Sequence, residues 1–260
     1  GDQAADCIYF GDTGGNLWRV DLSGNALPPS SQDTWQINKL ASFSGGSAAS
    51  DRRFFNRPDV VRIRLDRSAV DAIIIGTGDR TNPNATDVDN RVYMIHDRET
   101  EPYSTVTPTA SACLDPAIDY RCRLPLTEDG LYPIIEGADL DEVALGAADG
   151  WRFELPYAGE KSLASSVTVG GKVFIPTYTP SDLFSDINSC VPQSGIGGLR
   201  VIDIYKGYLG AINLGPIIPD TPSVYIAPDG GFFLLVPGGG SGGGDGVGSS
   251  LVVRDGAIDI

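Results

Sequence analysis

Gly15-Asn16-Leu17-Trp18-Arg19-Val20-Asp21-Leu22 decides the reading of this chain, because its pattern returns. It has the form Gly-x-aliphatic or aromatic-x-x-Asp. Gly150-Trp151-Arg152-Phe153-Glu154-Leu155 reads similarly. Gly198-Leu199-Arg200-Val201-Ile202-Asp203-Ile204 repeats the pattern, and Asn90-Arg91-Val92-Tyr93-Met94-Ile95-His96-Asp97 follows it more loosely. Each is read as one inner strand of a blade closing on an Asp-containing turn. Hairpins into turns at 73–78 and 173–178 accompany some of them. Internal repetition of this kind favours a propeller over a sandwich. The expected fold is all-β, an irregular or partial β-propeller of about four to five blade-like units in a single domain over 1–260.

The strand assignment rests on period two. Val61, Ile63 and Leu65 alternate with Arg62 and Arg64, and Val92, Met94 and His96 alternate with Tyr93 and Ile95. Further strands are expected at 7–10, 72–75, 166–169, 172–178, 208–214, 223–227 and 232–236. Gly (33) and Pro (18) punctuate these runs and break every longer helical candidate; 140–145 has room for one turn. Residues 41–51 read as a loop. Residues 237–250, PGGGSGGGDGVGSS, read as a flexible Gly-rich loop across which 224–236 and 251–260 pair.

A formal charge of −15 argues against nucleic-acid partners and against anionic membrane surfaces. No apolar run approaches a membrane span. Four cysteines, Cys7, Cys113, Cys122 and Cys190, lack zinc-site spacing. An even count in a loop-rich acidic chain suits two disulfides in an oxidising compartment. Cys113–Cys122 is the preferred local pair, which leaves Cys7–Cys190.

Few residues point to catalysis. The one imidazole, His96, lies on an expected strand, and there is no nucleophile elbow, P-loop or metalloprotease motif. The expectation is a non-enzymatic protein. A calcium site is expected instead, since calcium takes several oxygen ligands from a tight polar loop. Asp2 and Asp6 have the spacing of the last two carboxylates in a loop of form D-x-D-x-D-x-x-x-D. Asn82, Asn84, Asp87, Asp89 and Asn90 form a second oxygen-rich candidate, whose plainer reading is a polar turn.

The stretch 6–22, DCIYFGDTGGNLWRVDL, resembles the segment after the calcium loop in the PilY family of type IV pilus tip-associated proteins. Other segments resemble that family in the same order. They are Gly76-Thr77-Gly78-Asp79-Arg80 with Pro83 and the 89–94 run, then Gly150-Trp151, Gly159-Glu160-Lys161 and 173–180, then Cys190 with Gly198-Leu199. The resemblance implies a quinoprotein-like propeller of which this chain is the C-terminal portion. It implies a secreted protein that reaches the pilus tip on the cell surface through the periplasm and outer membrane. The implied roles are pilus biogenesis, retraction control and adhesion to host or abiotic surfaces, with minor pilins or other tip components as partners. Calcium is the implied regulator, and of the calcium loop only Asp2 and Asp6 are present. Cys7 stands where the family has a basic residue, which implies an extra disulfide. Rival readings are a quinone-dependent dehydrogenase and a purely structural envelope or filament module.

Overall fold

The computed structural model describes residues 7–22, 35–65, 67–100, 120–138, 140–181, 195–226, 228, 231–237 and 251–254. It is nearly all β, arranged as four sheets that follow one another along the chain. The first is the antiparallel meander β1 (Cys7–Gly11), β2 (Asn16–Asp21) and β3 (Gln36–Ser42). The second takes β4 (Asp59–Leu65), β5 (Ser68–Gly76), β6 (Arg91–Asp97), β7 (Tyr132–Ile134) and β8 (Gly150–Glu154), in the order β4-β5-β6-β8-β7. Its edge strand β7 runs parallel to β8, an irregularity in an otherwise antiparallel architecture. The third is the meander β9 (Val167–Val169), β10 (Lys172–Thr179), β11 (Ile196–Asp203) and β12 (Gly207–Gly215). The fourth is β13 (Ser223–Ile226), β14 (Phe232–Val236) and β15 (Leu251–Arg254).

Alternation along each strand stacks these sheets face to face. On β6, Val92 and Met94 point to one core while Tyr93 and Ile95 point to another. The Tyr93 side joins the second sheet to the first through Leu17, Leu40, Phe43, Phe54, Ile73 and Ile75. Tyr93 stacks on Phe43 with centroids 4.1 Å apart and meets Phe54 edge-on at 6.2 Å. Such aromatic pairs contribute about 0.5–1.5 kcal/mol beyond their buried area. The Met94 side, with Trp151 and Phe153 of β8, packs on Val173, Ile175 and Ile202 of the third sheet and on Ile204 just after it. The opposite face of that sheet, Phe174, Leu199 and Val201, packs on Leu234 and Val236 of the fourth. A strand that is apolar on both faces is the mark of a sheet covered on both sides. No core cluster among the described residues joins the first sheet to the fourth.

The all-β, propeller-like expectation is met, with one change to the repeat. Each of the four repeated segments was expected to mark its own blade, yet two of them, on β6 and β8, pair with each other in one sheet. Gly150 explains part of the likeness: at φ 137° its Cβ position overlaps the Met94 carbonyl oxygen, so the β6–β8 approach requires glycine there. Strands β3 and β7 fall where none was expected, and β3 reaches into the 41–51 loop. Among the described residues, the single α-helix, Glu142–Ala147, grows from the 140–145 stretch, and Asp141 caps it by accepting from the backbone N–H groups of Val143 and Ala144. The β14–β15 pairing spans the Gly-rich stretch as expected, and residues 238–250 lie outside the described residues. Among the described residues, no helix is long and apolar enough to cross a membrane.

Candidate functional site

Segments far apart in sequence meet around the turn that follows β5. Thr77 is buried there, and its hydroxyl donates to Asn90 Oδ1 at 3.0 Å while accepting from the Arg91 N–H at 2.8 Å. The Thr77 carbonyl accepts from Ser162 N–H at 2.9 Å, which brings the 159–165 segment across the turn. That crossing accounts for Gly78, because a Cβ there would stand 2.7 Å from Lys161 Cβ. Beyond it, Asp79 Oδ1 accepts from Thr81 N–H at 2.8 Å and Thr81 Oγ1 at 2.6 Å, an Asx turn. Its Oδ2 accepts from Arg53 at 3.0 Å, and Arg53 also binds Asp51 at 2.7 Å. The Thr81 hydroxyl, the Arg53 charge and the turn's N–H groups hold the Asp79 carboxyl below its usual range against a smaller effect of burial.

Lys161 closes the arrangement. It is 2% exposed, and its Nζ donates to the carbonyl oxygens of Pro83 and Ala85, each at 2.6 Å. Its backbone exchanges two hydrogen bonds with Tyr178 on β10. Burial pulls the Lys161 ammonium down to about 8, and Asp79 and Asp87 oppose that fall. A cavity of about 220 Å³ lies here, lined by Asp51, Arg53, Asp79, Asn82, Asp87 and Lys161 among others.

In the second oxygen-rich candidate, several of the oxygens are already engaged within the protein. Asn90 is buried and turns inward to Thr77 and the Val88 carbonyl. The Pro83 and Ala85 carbonyls, the kind of oxygen a calcium loop offers, are already engaged by the Lys161 ammonium. Among the described residues, no group of three or more His, Cys, Asp or Glu side chains converges as a metal site. Asp2 and Asp6 lie outside the described residues.

The sequence did not single out three ionic centres, two of them buried and one half-buried. Arg200 on β11 grips Glu160 through Nε and Nη2 at 2.6 and 2.7 Å, and donates from Nη1 to Tyr208 Oη at 2.9 Å. Arg19 on β2, fully buried, reaches Asp21 and, at 2.6 Å, Asp97 on β6, which also accepts from Tyr9. Glu128 receives Tyr93, Arg91 and Arg52 together. These contacts, with the burial that opposes them, leave the Glu128 carboxyl below its usual range. The signal was present: Arg19 and Arg200 each stand between apolar neighbours within a strand, Trp18 and Val20 and Leu199 and Val201, a position that demands a partner.

His96 is 2% exposed, with Nδ1 3.2 Å from the Ala148 carbonyl, and burial lowers it to about 4. Its surroundings are those of a packed core residue. The expected Cys7–Cys190 bridge is not formed: Cys7 is a free thiol, bonded to Asp21 Oδ1 at 3.4 Å and pushed up to about 12 by burial. The carboxylates of Asp21 and Asp97 around the Arg19 centre leave it protonated and inert. Cys122 is disulfide-bonded, to a partner outside the described residues.

The Lys161 centre unites segments named earlier for another reason. The 76–80 and 89–94 runs, Pro83, the Gly159-Glu160-Lys161 triplet and Tyr178 of the 173–180 run all enter it. No protein-family model matches the chain, and no curated protein matches it. Among solved structures, the crystal structure of the Pseudomonas aeruginosa PilY1 C-terminal domain aligns with a TM-score of 0.57 at 16% identity. The alignment covers 90% of this chain and 56% of that one, so the chain spans little more than half the length of its structural neighbour. At this identity the likeness is one of fold: this chain is an all-β, propeller-like protein folded like the PilY1 C-terminal domain.

Proposed function

We propose that this chain is a type IV pilus-associated protein of the cell surface, acting at the pilus tip in biogenesis, retraction control and adhesion. Its partners are minor pilins or other tip components on one side and a host or abiotic surface on the other, and it works by binding, without catalysis. The observation that carries this reading is a coincidence of two independent signals. Four of the segments that resemble the PilY family, 76–83, 89–94, 159–161 and 173–180, meet at the Lys161 centre, and the fold aligns over 90% of the chain with the PilY1 C-terminal domain. The disulfide-bonded Cys122 suits a route through an oxidising compartment. The charge of −15 suits a basic protein partner in preference to nucleic acid. Calcium enters through Asp2 and Asp6, as the regulator of this surface.

Deletion of the gene in its native host tests the proposal. Loss of surface pili or of pilus-dependent adhesion, restored by the wild-type gene in trans, is the expected result. Full piliation and unaltered adhesion and twitching in the deletion strain would overturn it.

A further inference from the structure

Along the face of the third sheet that covers the second, the residue type changes part-way. Val173 and Ile175 on β10, with Ile202 on β11, fill the shared core. Continuing along the same face, alternation brings Thr177 and Thr179 on β10 and Gly198 and Arg200 on β11. Register then sets Thr177, Gly198 and Asn213 in one row across three strands. An apolar inner face gives way there to hydroxyl, amide and glycine, beside a cleft of about 360 Å³ whose walls also include Tyr157 and Glu160.

Five features make this cleft a built site. Thr177 is 2% exposed, lines the cleft, and its hydroxyl has no hydrogen-bond partner among the described residues. Gly198 clears the space in front of it, since a Cβ there would stand 2.9 Å from Thr177 Oγ1. A bulge between Gly197 and Gly198 breaks the β11–β12 register at this point, a device that re-aims side chains next to sites. Asn213 spends its Oδ1 on the Gly215 N–H at 2.7 Å, which fixes the amide and leaves its NH2 group as a donor. The Tyr157 ring stands 62% exposed at the edge, held by the Arg200 guanidinium 5.4 Å from its centroid.

The charge balance selects the ligand. Arg200 and Glu160 neutralise each other, and a chain of net charge −15 disfavours an anion. A cation would face Arg200, three of whose five N–H donors are engaged. What remains is a neutral molecule rich in hydroxyl groups with an apolar face to set against an aromatic ring. We propose that this cleft is a binding site for a neutral saccharide. The sugar hydroxyls pair with Thr177, Thr179 and the Asn213 amide, and its C–H face lies on Tyr157.

The proposal is independent of pilus association, because the purified chain is the reagent and a negative result leaves pilus placement untouched. A glycan array carrying neutral, sialylated and sulfated glycans is the test, followed by titration of the best neutral hit. Retention of neutral glycans is expected. Tyr157→Ala and Asn213→Ala, both exposed positions whose loss leaves the fold standing, each weaken binding by roughly tenfold or more, a cost of about 1.4 kcal/mol or above. Tyr205→Ala, on the β11–β12 turn away from the cleft, leaves it unchanged. Retention of charged glycans alone, of none, or affinity untouched by Tyr157→Ala and Asn213→Ala overturns the assignment.

Discussion

Arg200 holds both carboxylate oxygens of Glu160, at 2.6 and 2.7 Å, forty residues away along the chain, and both side chains are almost fully buried. The pair pins the segment after β8 to β11 and supports Tyr157 and Tyr208 through the same guanidinium. Removing one partner of a buried pair leaves an uncompensated charge, at a cost of about 3–5 kcal/mol. Glu160→Ala is therefore expected to lower stability by about that amount in urea unfolding. A loss below about 1 kcal/mol would mean that solvent reaches Arg200 freely.

Lys161 acts as a tether. Lys161→Met keeps the length and apolar stem of the side chain but deletes two charge-assisted hydrogen bonds to Pro83 and Ala85, each worth about 1.5–3 kcal/mol. Most of that loss is expected locally, as faster amide hydrogen exchange confined to 79–90 and 159–165, with β10 and β11 protected as before. Uniformly faster exchange across the chain, or none, contradicts the tether.

His96 gives stability a signed pH dependence. The folded state holds the imidazole neutral down to about 4, whereas the unfolded chain protonates near 6.5. The unfolded state therefore binds more protons in that window, and stability falls as pH drops from 6.5 toward 4, by about 3 kcal/mol at most. This is the chain's one histidine, and the Asp59 and Asp149 carboxyls, raised by burial, act with the opposite sign, so the rise in stability from pH 5 to 6.5 is the part His96 supplies. Replacement by His96→Gln is expected to flatten that limb of the unfolding free energy. An unchanged slope would assign it to carboxylates.

Calcium binding is expected to rest on Asp2 and Asp6 and not on the 79–90 turn. Calorimetric titration of chelator-stripped protein should show Asp2→Ala and Asp6→Ala weakening Ca²⁺ affinity while Asp87→Ala leaves it intact. The reverse pattern would place the ion among oxygens that Lys161 occupies here.

Strands with period-two or two-sided apolar patterns were legible in the sequence. Val61, Ile63 and Leu65 pack against the core as their alternation requires, and Arg62, on the other face, pairs with Asp71. β3, QINKLAS, was not legible, because Ile37 is exposed while Leu40 and Ala41 are both buried across a register shift opposite Leu17 and Trp18. The short strand β7 carries Pro133 and depends on its parallel neighbour, a long-range pairing that no local pattern announces. The site was half legible. The Gly159-Glu160-Lys161 triplet stood out as a motif, but its two charges serve opposite neighbours, Arg200 and the 79–90 turn, and spacing alone cannot show that division. Cys7 misled because an even cysteine count says nothing of distance. It lies beside Asp21, within the first sheet.

Immunogold labelling of intact pili sheared from the native host, with antibody raised against this chain, tests the central claim most directly. Gold concentrated at pilus tips, and absent from pili of the deletion strain, is the result predicted. Abundant pili without label, with the protein recovered instead from another cell fraction, would contradict it.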